Sequence, residues 1–212
     1  MDVVVLVSGR GSNLRAICSA IDVGTCAARV VGVVSDRKKA AALEFADARG
    51  IPTRVVSLRK GDDRDAWNES LAAEVAELKP DLIVLAGFMR VLGSPLLERF
   101  PGRIINVHPA LLPSFPGHSG PQDALDGGVR ISGCTVHIVD AGVDTGPILA
   151  QAAVPVLRDD TADTLHARIQ AHEHRLLPSV IHQIAIGAIT LDPLTVSTAV
   201  ADPSQSLSVP DA

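Results

Sequence analysis

The chain has 212 residues, of which 47% are hydrophobic and 20% charged, and its formal net charge is −5. This length allows one domain with a substantial core but is cramped for two. The net charge provides no positive field for nucleic acid or an anionic membrane, and an aromatic content of 2% removes the stacking surfaces of RNA-binding modules. We therefore expect small-molecule ligands that are held locally.

The N-terminal half predicts a Rossmann-like α/β arrangement, with a mostly parallel twisted sheet and helices on both faces. Short β-branched runs alternate there with longer polar and Ala-rich stretches. Gly50, before Pro52, should end the second helix. We predict strands at 2–7, 29–34, 54–57, 81–86 and 103–108, and helices at 13–23, 38–49 and 63–78.

The pattern of the sequence changes after Pro113. A loop is predicted at 116–121, a short helix at 122–125, strands at 131–139 and 148–156, and a long helix at 163–186. Pro178 should interrupt or kink this helix. We expect one domain over 1–191, followed by a weakly structured tail over 192–212 that is rich in Pro, Ser, Asp and Ala.

The cysteines and the N-terminus indicate the compartment. Cys18, Cys26 and Cys134 are odd in number and lack CxxC spacing, which predicts neither a disulfide framework nor a cysteine-based zinc site. None of the seven histidines has convincing metal-ligand spacing either, so we expect no metal. The apolar run at 1–7 has no basic lead-in or cleavage site. These features predict a cytoplasmic protein. We expect it to be a monomer or a homodimer.

A glycine-containing turn, Ser8-Gly9-Arg10-Gly11-Ser12-Asn13-Leu14, follows the first predicted strand and opens the first helix. Free backbone N–H groups and the helix dipole favour a phosphate at such a position. Leu14 stands where a dinucleotide fingerprint has its third glycine, so a single phosphate fits better than NAD. The same residues could also form only a turn and a helix cap.

Three polar residues form a candidate catalytic set. Asn106 and His108 alternate at the end of a predicted strand, and ligands of open α/β sheets bind beyond the carboxyl ends of strands. Asp144 lies in the Gly-containing loop 140–147. An amide can donate to an oxyanion, an imidazole can move a proton, and a carboxylate should raise the histidine pKa and keep the ring charged. The alternatives are a hydrogen-bonded buried histidine and a simple turn around Asp144.

Four segments resemble one family, the phosphoribosylglycinamide formyltransferases, which are folate-dependent enzymes of purine synthesis. The resemblance runs in order over residues 2 to 190, and its motifs are 7–14, 85–92, 106–113 and 142–147. It implies transfer of a formyl group from 10-formyltetrahydrofolate to the glycinamide amine, with no nucleic-acid or membrane partner. It also implies a nucleotide-phosphate half over about 1–100 and a folate and catalytic half over about 101–191.

The resemblance also implies roles for individual residues. Asn106, His108 and Asp144 match the catalytic positions, and Asn106 also matches a folate contact. The ribonucleotide contacts are Gly11, Ser12, Asn13 and Glu173, and the other folate contacts are Arg64, Met89, Arg90, Val91 and Leu92. Five of these residues have a plain structural alternative: core packing for Met89 and Leu92, solvated charge for Arg64 and Arg90, and a helix-face carboxylate for Glu173.

The chain departs from the pattern of the family just after the Leu-Leu-Pro motif. Ser114 stands where some relatives carry lysine, and the histidine of the following loop is His118. His137 lies in a strand that approaches the predicted site, but we do not include it in the catalytic set. The rival functions are a formyl hydrolase, a formyltransferase for another amine, and a non-catalytic nucleotide-binding module.

Overall fold

The computed structural model describes residues 1–191, and the predicted tail at 192–212 lies outside them. Within the described part, seven strands and six helices follow one another along the chain. They are β1 (Asp2–Val7), α1 (Ser12–Asp22), β2 (Arg29–Ser35), α2 (Ala41–Ala48), β3 (Thr53–Val55), α3 (Arg64–Glu77), β4 (Leu82–Leu85), α4 (Ser94–Arg99), β5 (Ile104–His108), α5 (Gly120–Asp126), β6 (Ile131–Ile138), β7 (Ile148–Pro155) and α6 (Ala162–Ala185).

All seven strands belong to one sheet, in the order β3-β2-β1-β4-β5-β6-β7. Strands β1 to β5 pair in parallel, whereas β6 and β7 pair antiparallel. The chain order reverses between β1 and β4, because β2 and β3 extend the sheet on one side and β4 and β5 on the other. In open α/β sheets, such a switch point opens a crevice at the carboxyl ends of the strands.

Helices cover both faces of the sheet, as the sequence predicted. Side chains alternate along each strand, so Val3, Val5 and Val7 of β1 pack in the core on the α1, α2 and α6 side. Val4 and Leu6 pack instead in the core beneath α3 and α4. All five side chains are fully buried, which explains why β1 reads as a continuous apolar run.

Local capping residues start two of the longer helices. The Asp63 side chain accepts hydrogen bonds from the backbone N–H groups of Asp65 and Ala66 and so begins α3. Thr161 and Thr164 form a reciprocal capping box at the start of α6. These caps satisfy backbone donors that the first turn of a helix leaves without partners.

Three predictions about elements need correction. Helix α4 was not predicted, because it has only six residues and carries Pro95 at its start. Helix α2 begins at Ala41 rather than at residue 38, since 38–39 form a turn. Helix α6 is not interrupted at Pro178, which is buried inside it. The packing of α6 against α1, β6 and β7 explains why one missing N–H does not end the helix.

Two further features concern the cysteines and the helices. The thiols of Cys18, Cys26 and Cys134 are free and buried. No helix within residues 1–191 combines the length and the apolar composition needed to cross a membrane.

Candidate active site

A cleft of about 450 Å³ opens at the carboxyl ends of β1, β4 and β5. The turn after β1, the segment after β4, the end of β5, the loop before β7 and one face of α6 all line it. The crevice expected at a topological switch point is therefore present. Of the twelve site residues that the sequence predicted, eleven line this cleft, and Arg64 does not.

The turn after β1 brings the backbone N–H groups at the start of α1 to one end of the cleft. Gly11 is the N-cap of α1 and has a left-handed backbone with φ of 74°, a conformation that favours glycine. A Cβ atom there would lie 2.6 Å from the Ala42 Cβ atom. No side chain caps this helix, so its first N–H groups stay available to an anion.

Two hydrogen bonds join this turn to α6. Asn13 Nδ2 donates to Glu173 Oε2 at 2.9 Å, and Gln170 Nε2 donates to Ser12 Oγ at 3.0 Å. Glu173 is 4% exposed, and burial raises the pKa of its carboxyl group, while the bond from Asn13 acts in the opposite sense. Asn13 Oδ1 is buried and has no hydrogen-bond partner among residues 1–191. The start of α1 and the middle of α6 therefore hold each other in place across the cleft.

At the other end of the cleft, His108 and Asp144 face each other. His108 Nδ1 lies 3.3 Å from Asp144 Oδ2, and His108 Nε2 lies 2.8 Å from the backbone oxygen of Phe115. A carbonyl oxygen only accepts hydrogen bonds, so the first proton of the imidazole belongs on Nε2. The Nδ1 atom is left facing the carboxylate and the cleft.

Asn106 and His137 are opposite each other in the β5–β6 pairing, so both side chains lie on one face of the sheet. Asn106 Nδ2 lies 3.2 Å from His137 Nε2 and 3.4 Å from Asp144 Oδ1. His137 Nδ1 lies 2.9 Å from the Ile138 backbone oxygen, which places the His137 proton on Nδ1 and leaves Nε2 as an acceptor. The Asn106 amide is therefore oriented by two acceptors.

The Asp144 carboxylate is the centre of this cluster. It lies 3.3 Å from His108 Nδ1 and 3.4 Å from His137 Nε2, and it accepts hydrogen bonds from Asn106 Nδ2 and, at 2.8 Å, from the backbone N–H of Gly117. Asp144 has a left-handed backbone with φ of 55°, within a loop that Asp140 shapes by accepting from Gly142 N and Thr145 Oγ1. Burial acts to raise the pKa of Asp144, but the hydrogen bonds and the nearby histidines outweigh it and lower the pKa. Asp144 is therefore ionised at neutral pH.

The expectation of a raised His108 pKa is wrong. Burial removes the imidazolium from water and lowers the pKa of His108, and the Phe115 carbonyl and the Asp144 carboxylate offset only part of that effect. His108 is 3% exposed. The ring is thus neutral at neutral pH, with Nδ1 able to accept a proton.

Residues 89–92 lie after β4 in no helix or strand and line the cleft with side chains of different character. Met89 and Val91 are exposed by 59% and 57%, whereas Leu92 packs in the core. Arg90 is not simply a solvated charge, because its Nε atom lies 2.8 Å from Oδ2 of the buried Asp36.

Arg64, the first residue of α3, lies outside the lining of the cleft. Its guanidinium donates to the Val91 backbone oxygen and lies 4.7 Å from the centre of the Trp67 ring. Arg64 therefore contacts the 89–92 segment from outside the cleft lining.

Sequence reasoning did not include four residues that line the cleft: Arg10, His137, His166 and Gln170. The register of paired strands and the spacing of residues along a helix could have identified three of them. His137 follows from the antiparallel register opposite Asn106. His166 and Gln170 precede Glu173 by seven and three residues, the spacing of one helix face.

Comparison with known proteins agrees with this fold. The sequence profile described as formyl transferase matches residues 1–181. A phosphoribosylglycinamide formyltransferase of Mycobacterium tuberculosis (strain H37Rv) is 51% identical over 188 residues, which cover 89% of this chain and 86% of that protein. The Escherichia coli (strain K12) enzyme of the same name is 39% identical over 191 residues, with 90% of each chain covered.

The solved structures agree with the sequence relatives. The crystal structure of glycinamide ribonucleotide transformylase 1 from Symbiobacterium toebii superposes with a TM-score of 0.87, at 44% identity and with 91% of each chain covered. The fold and the site define an α/β enzyme, and the chain belongs to the formyl transferase family. Within that family, it is similar to phosphoribosylglycinamide formyltransferases.

Proposed function

We propose that the protein transfers the formyl group of 10-formyltetrahydrofolate to the amine of N1-(5-phosphoribosyl)glycinamide, giving the N-formyl product and tetrahydrofolate in purine synthesis. The observation that carries this proposal is the convergence of Asn106, His108 and Asp144 at one end of a cleft whose other end is the uncapped start of α1. A phosphate ester that carries an amine suits a cleft with these two ends.

The phosphate belongs at the start of α1. The N–H groups of Gly11, Ser12 and Asn13 are oriented toward an anion by the helix, and the helix dipole adds favourable charge. Glu173, held by Asn13, supports a contact with the ribose, because a buried carboxyl group forms strong hydrogen bonds with hydroxyl groups. The ribonucleotide then extends from α1 toward His108.

The reaction begins when the neutral glycinamide amine attacks the formyl carbon. His108 Nδ1 accepts the proton that the amine nitrogen loses as the new C–N bond forms. The resulting imidazolium is stabilised by Asp144, 3.3 Å away, while the Phe115 carbonyl holds the other ring nitrogen. His108 then returns the proton to the folate nitrogen as the bond between the formyl carbon and that nitrogen breaks.

The tetrahedral intermediate carries negative charge on the former formyl oxygen. The oxygen would replace Asp144 Oδ1 as the acceptor of one Asn106 Nδ2–H group, and it would share the Nδ1 proton of the imidazolium with Asp144 Oδ2. His137 supports this geometry by accepting a hydrogen bond from the Asn106 amide. No serine or cysteine nucleophile is needed, because the substrate amine supplies the nucleophile.

The folate donor belongs beside residues 89–92. The exposed apolar side chains of Met89 and Val91 suit a flat heterocycle, and the backbone of this segment is not used by a helix or a strand. Leu92 holds the segment by packing in the core, and Arg90 holds it through the ion pair with Asp36. Arg64 donates a hydrogen bond to the Val91 carbonyl. We propose folate contacts for all five residues, those of Arg64 being the most peripheral.

Three further parts of the proposal follow from the sequence. The protein is expected to act in the cytoplasm, as a monomer or a homodimer. We also propose the functional division into a phosphate half over about 1–100 and a catalytic half over about 101–191. The sequence predicts that the reaction needs no metal.

An absorbance assay tests the proposal directly. The donor analogue 10-formyl-5,8-dideazafolate is incubated with the protein and with phosphoribosylglycinamide, with another amine such as an amino sugar, or with water alone. Deformylation only with the ribonucleotide is the expected result. Deformylation in water alone would identify a hydrolase, and activity with the other amine alone would identify a different transferase.

A further inference from the structure

We infer that Arg10 and His166 form a clamp for the phosphate ester, in addition to the backbone N–H groups at the start of α1. The inference rests on the proposed function, because it assigns the ligand of the clamp as the phosphate of the ribonucleotide. These two residues would determine that the enzyme prefers a phosphorylated amine to its unphosphorylated counterpart.

The geometry that supports the clamp is a set of facing positions between the turn after β1 and α6. Ser12 is hydrogen-bonded to Gln170 and Asn13 to Glu173. His166 lies one helical turn before Gln170, on the same face of α6, and Arg10 precedes the helix that carries Ser12 and Asn13. Arg10 and His166 line the same cleft as these two hydrogen-bonded pairs.

The positive charge of Arg10 and the imidazole of His166 favour an anion between the two side chains. Burial lowers the pKa of His166, and the nearby Arg10 guanidinium lowers it further, whereas Asp163 acts in the opposite sense. Within residues 1–191, no carboxylate lies within ion-pair distance of Arg10, although several other arginines have such partners. When His166 is protonated, its charge and that of Arg10 repel each other, and a bound dianion would remove that repulsion.

The position of Glu173 gives the clamp a direction. Its carboxyl group would repel a phosphate, and it lies two turns along α6 from His166. The phosphate therefore belongs at the Arg10 and His166 end, and the ribose at the Glu173 end. This orientation directs the rest of the substrate toward His108.

Protonation of His166 should also tune the affinity of the clamp. Sulfate is a suitable probe, because its charge does not change between pH 5 and 8. Arg10 and Asp163 face His166, and Glu173 is the other titratable group on the same face of α6. A variant that lacks only the imidazole therefore separates the contribution of His166 from that of Glu173.

The test measures sulfate binding by calorimetry and ribonucleotide kinetics for the wild type, Arg10→Gln, Arg10→Lys and His166→Asn. Arg10→Gln should weaken sulfate binding and raise the KM for the ribonucleotide about 10-fold, with a much smaller effect on kcat, as expected for loss of one charge-assisted hydrogen bond. Arg10→Lys should recover part of the affinity. Wild-type sulfate affinity should fall as the pH rises from 5.5 to 7.5, and this dependence should be lost in His166→Asn.

The matched control is Arg15→Gln, which removes the same charge from α1. The Arg15 guanidinium lies 4.2 Å from the centre of the Phe45 ring and does not line the cleft. Unchanged sulfate affinity in Arg10→Gln, or an equal loss in Arg15→Gln, would overturn the inference. An unchanged pH dependence in His166→Asn would remove His166 from the clamp. Sulfate binding is measured without the reaction, so failure of the proposed function would be seen separately.

Discussion

Replacing Asp144 with asparagine removes one negative charge from the centre of the site and keeps the shape of the side chain. The asparagine oxygen can still accept the hydrogen bond from Gly117, which is 2.8 Å long in the wild type. The change therefore tests the electrostatic support of His108 more than it tests the structure of the loop. We expect kcat to fall and the KM for the ribonucleotide to change little, because the proposed phosphate site lies at the other end of the cleft.

The distance between the two groups determines the size of the effect. Unit charges 3.3 Å apart, the separation of His108 Nδ1 and Asp144 Oδ2, interact by about 5 kcal/mol at an effective dielectric constant of about 20. The amide dipole of the asparagine and partial exposure of the site recover part of this energy. A net loss of about 3 kcal/mol corresponds to a decrease in kcat of roughly 100-fold.

Steady-state assays over a range of pH measure this effect. The proposed base, His108, loses its carboxylate neighbour, so the acid limb of the kcat profile should move to lower pH in Asp144→Asn. Asp140→Asn is the matched control, since it is the same substitution in the same loop and keeps an oxygen that can accept from Gly142 and Thr145. We expect only a small change in that control. Turnover of Asp144→Asn within a few-fold of wild type would refute the proposed support of His108.

Three other changes have defined outcomes. Gly11→Ala should destabilise the fold by about 1–3 kcal/mol, because of the positive φ and the contact with Ala42, and should raise the ribonucleotide KM; urea unfolding and kinetics measure both. Arg90→Met should cost about 3 kcal/mol in urea unfolding by leaving the buried Asp36 carboxylate unpaired, and wild-type stability would contradict the ion pair. Because the pKa of His108 is lowered in the fold, the free energy of unfolding should decrease as the pH falls below 6.5, the ordinary pKa of histidine. In His108→Asn this pH dependence should be weaker, and an equally strong dependence would contradict the prediction.

The sheet was predictable because its central strands are buried on both faces. β4 and the part of β1 after Asp2 consist of continuous apolar residues, and the predicted bounds agree with the observed bounds to within about one residue. Edge strand β3 has only three residues and is half-exposed, so its apolar pattern is weak and its predicted position was shifted. The short α4 lacks the several turns that a periodic pattern needs.

The site was predictable where chemistry and local pattern coincide. Asn106 and His108 alternate at the end of one strand, and Asp144 lies in a loop whose glycines are visible in the sequence. The sequence did not predict which group controls the pKa of His108, because burial is a property of the packed chain. The carboxylate was identified, but the opposing effect of burial was underestimated.

The remaining cleft residues depend on pairings that no local motif encodes. His137 meets Asn106 only through the β5–β6 register, and Gln170 meets Ser12 across 158 positions of sequence. Arg90 stands among apolar residues in the sequence, yet its partner is the buried Asp36 of another segment. Long-range contacts of this kind become visible only when the strand order is known.

The central claim is that the formyl group moves to the glycinamide amine rather than to water. The most direct measurement uses a donor with a ¹³C-labelled formyl carbon, mixed with phosphoribosylglycinamide and the protein, and follows the label by NMR. We predict that the label appears as the formamide carbon of the ribonucleotide, at a rate that falls sharply in Asp144→Asn. Appearance of the label as formate, with no labelled ribonucleotide, would contradict the account.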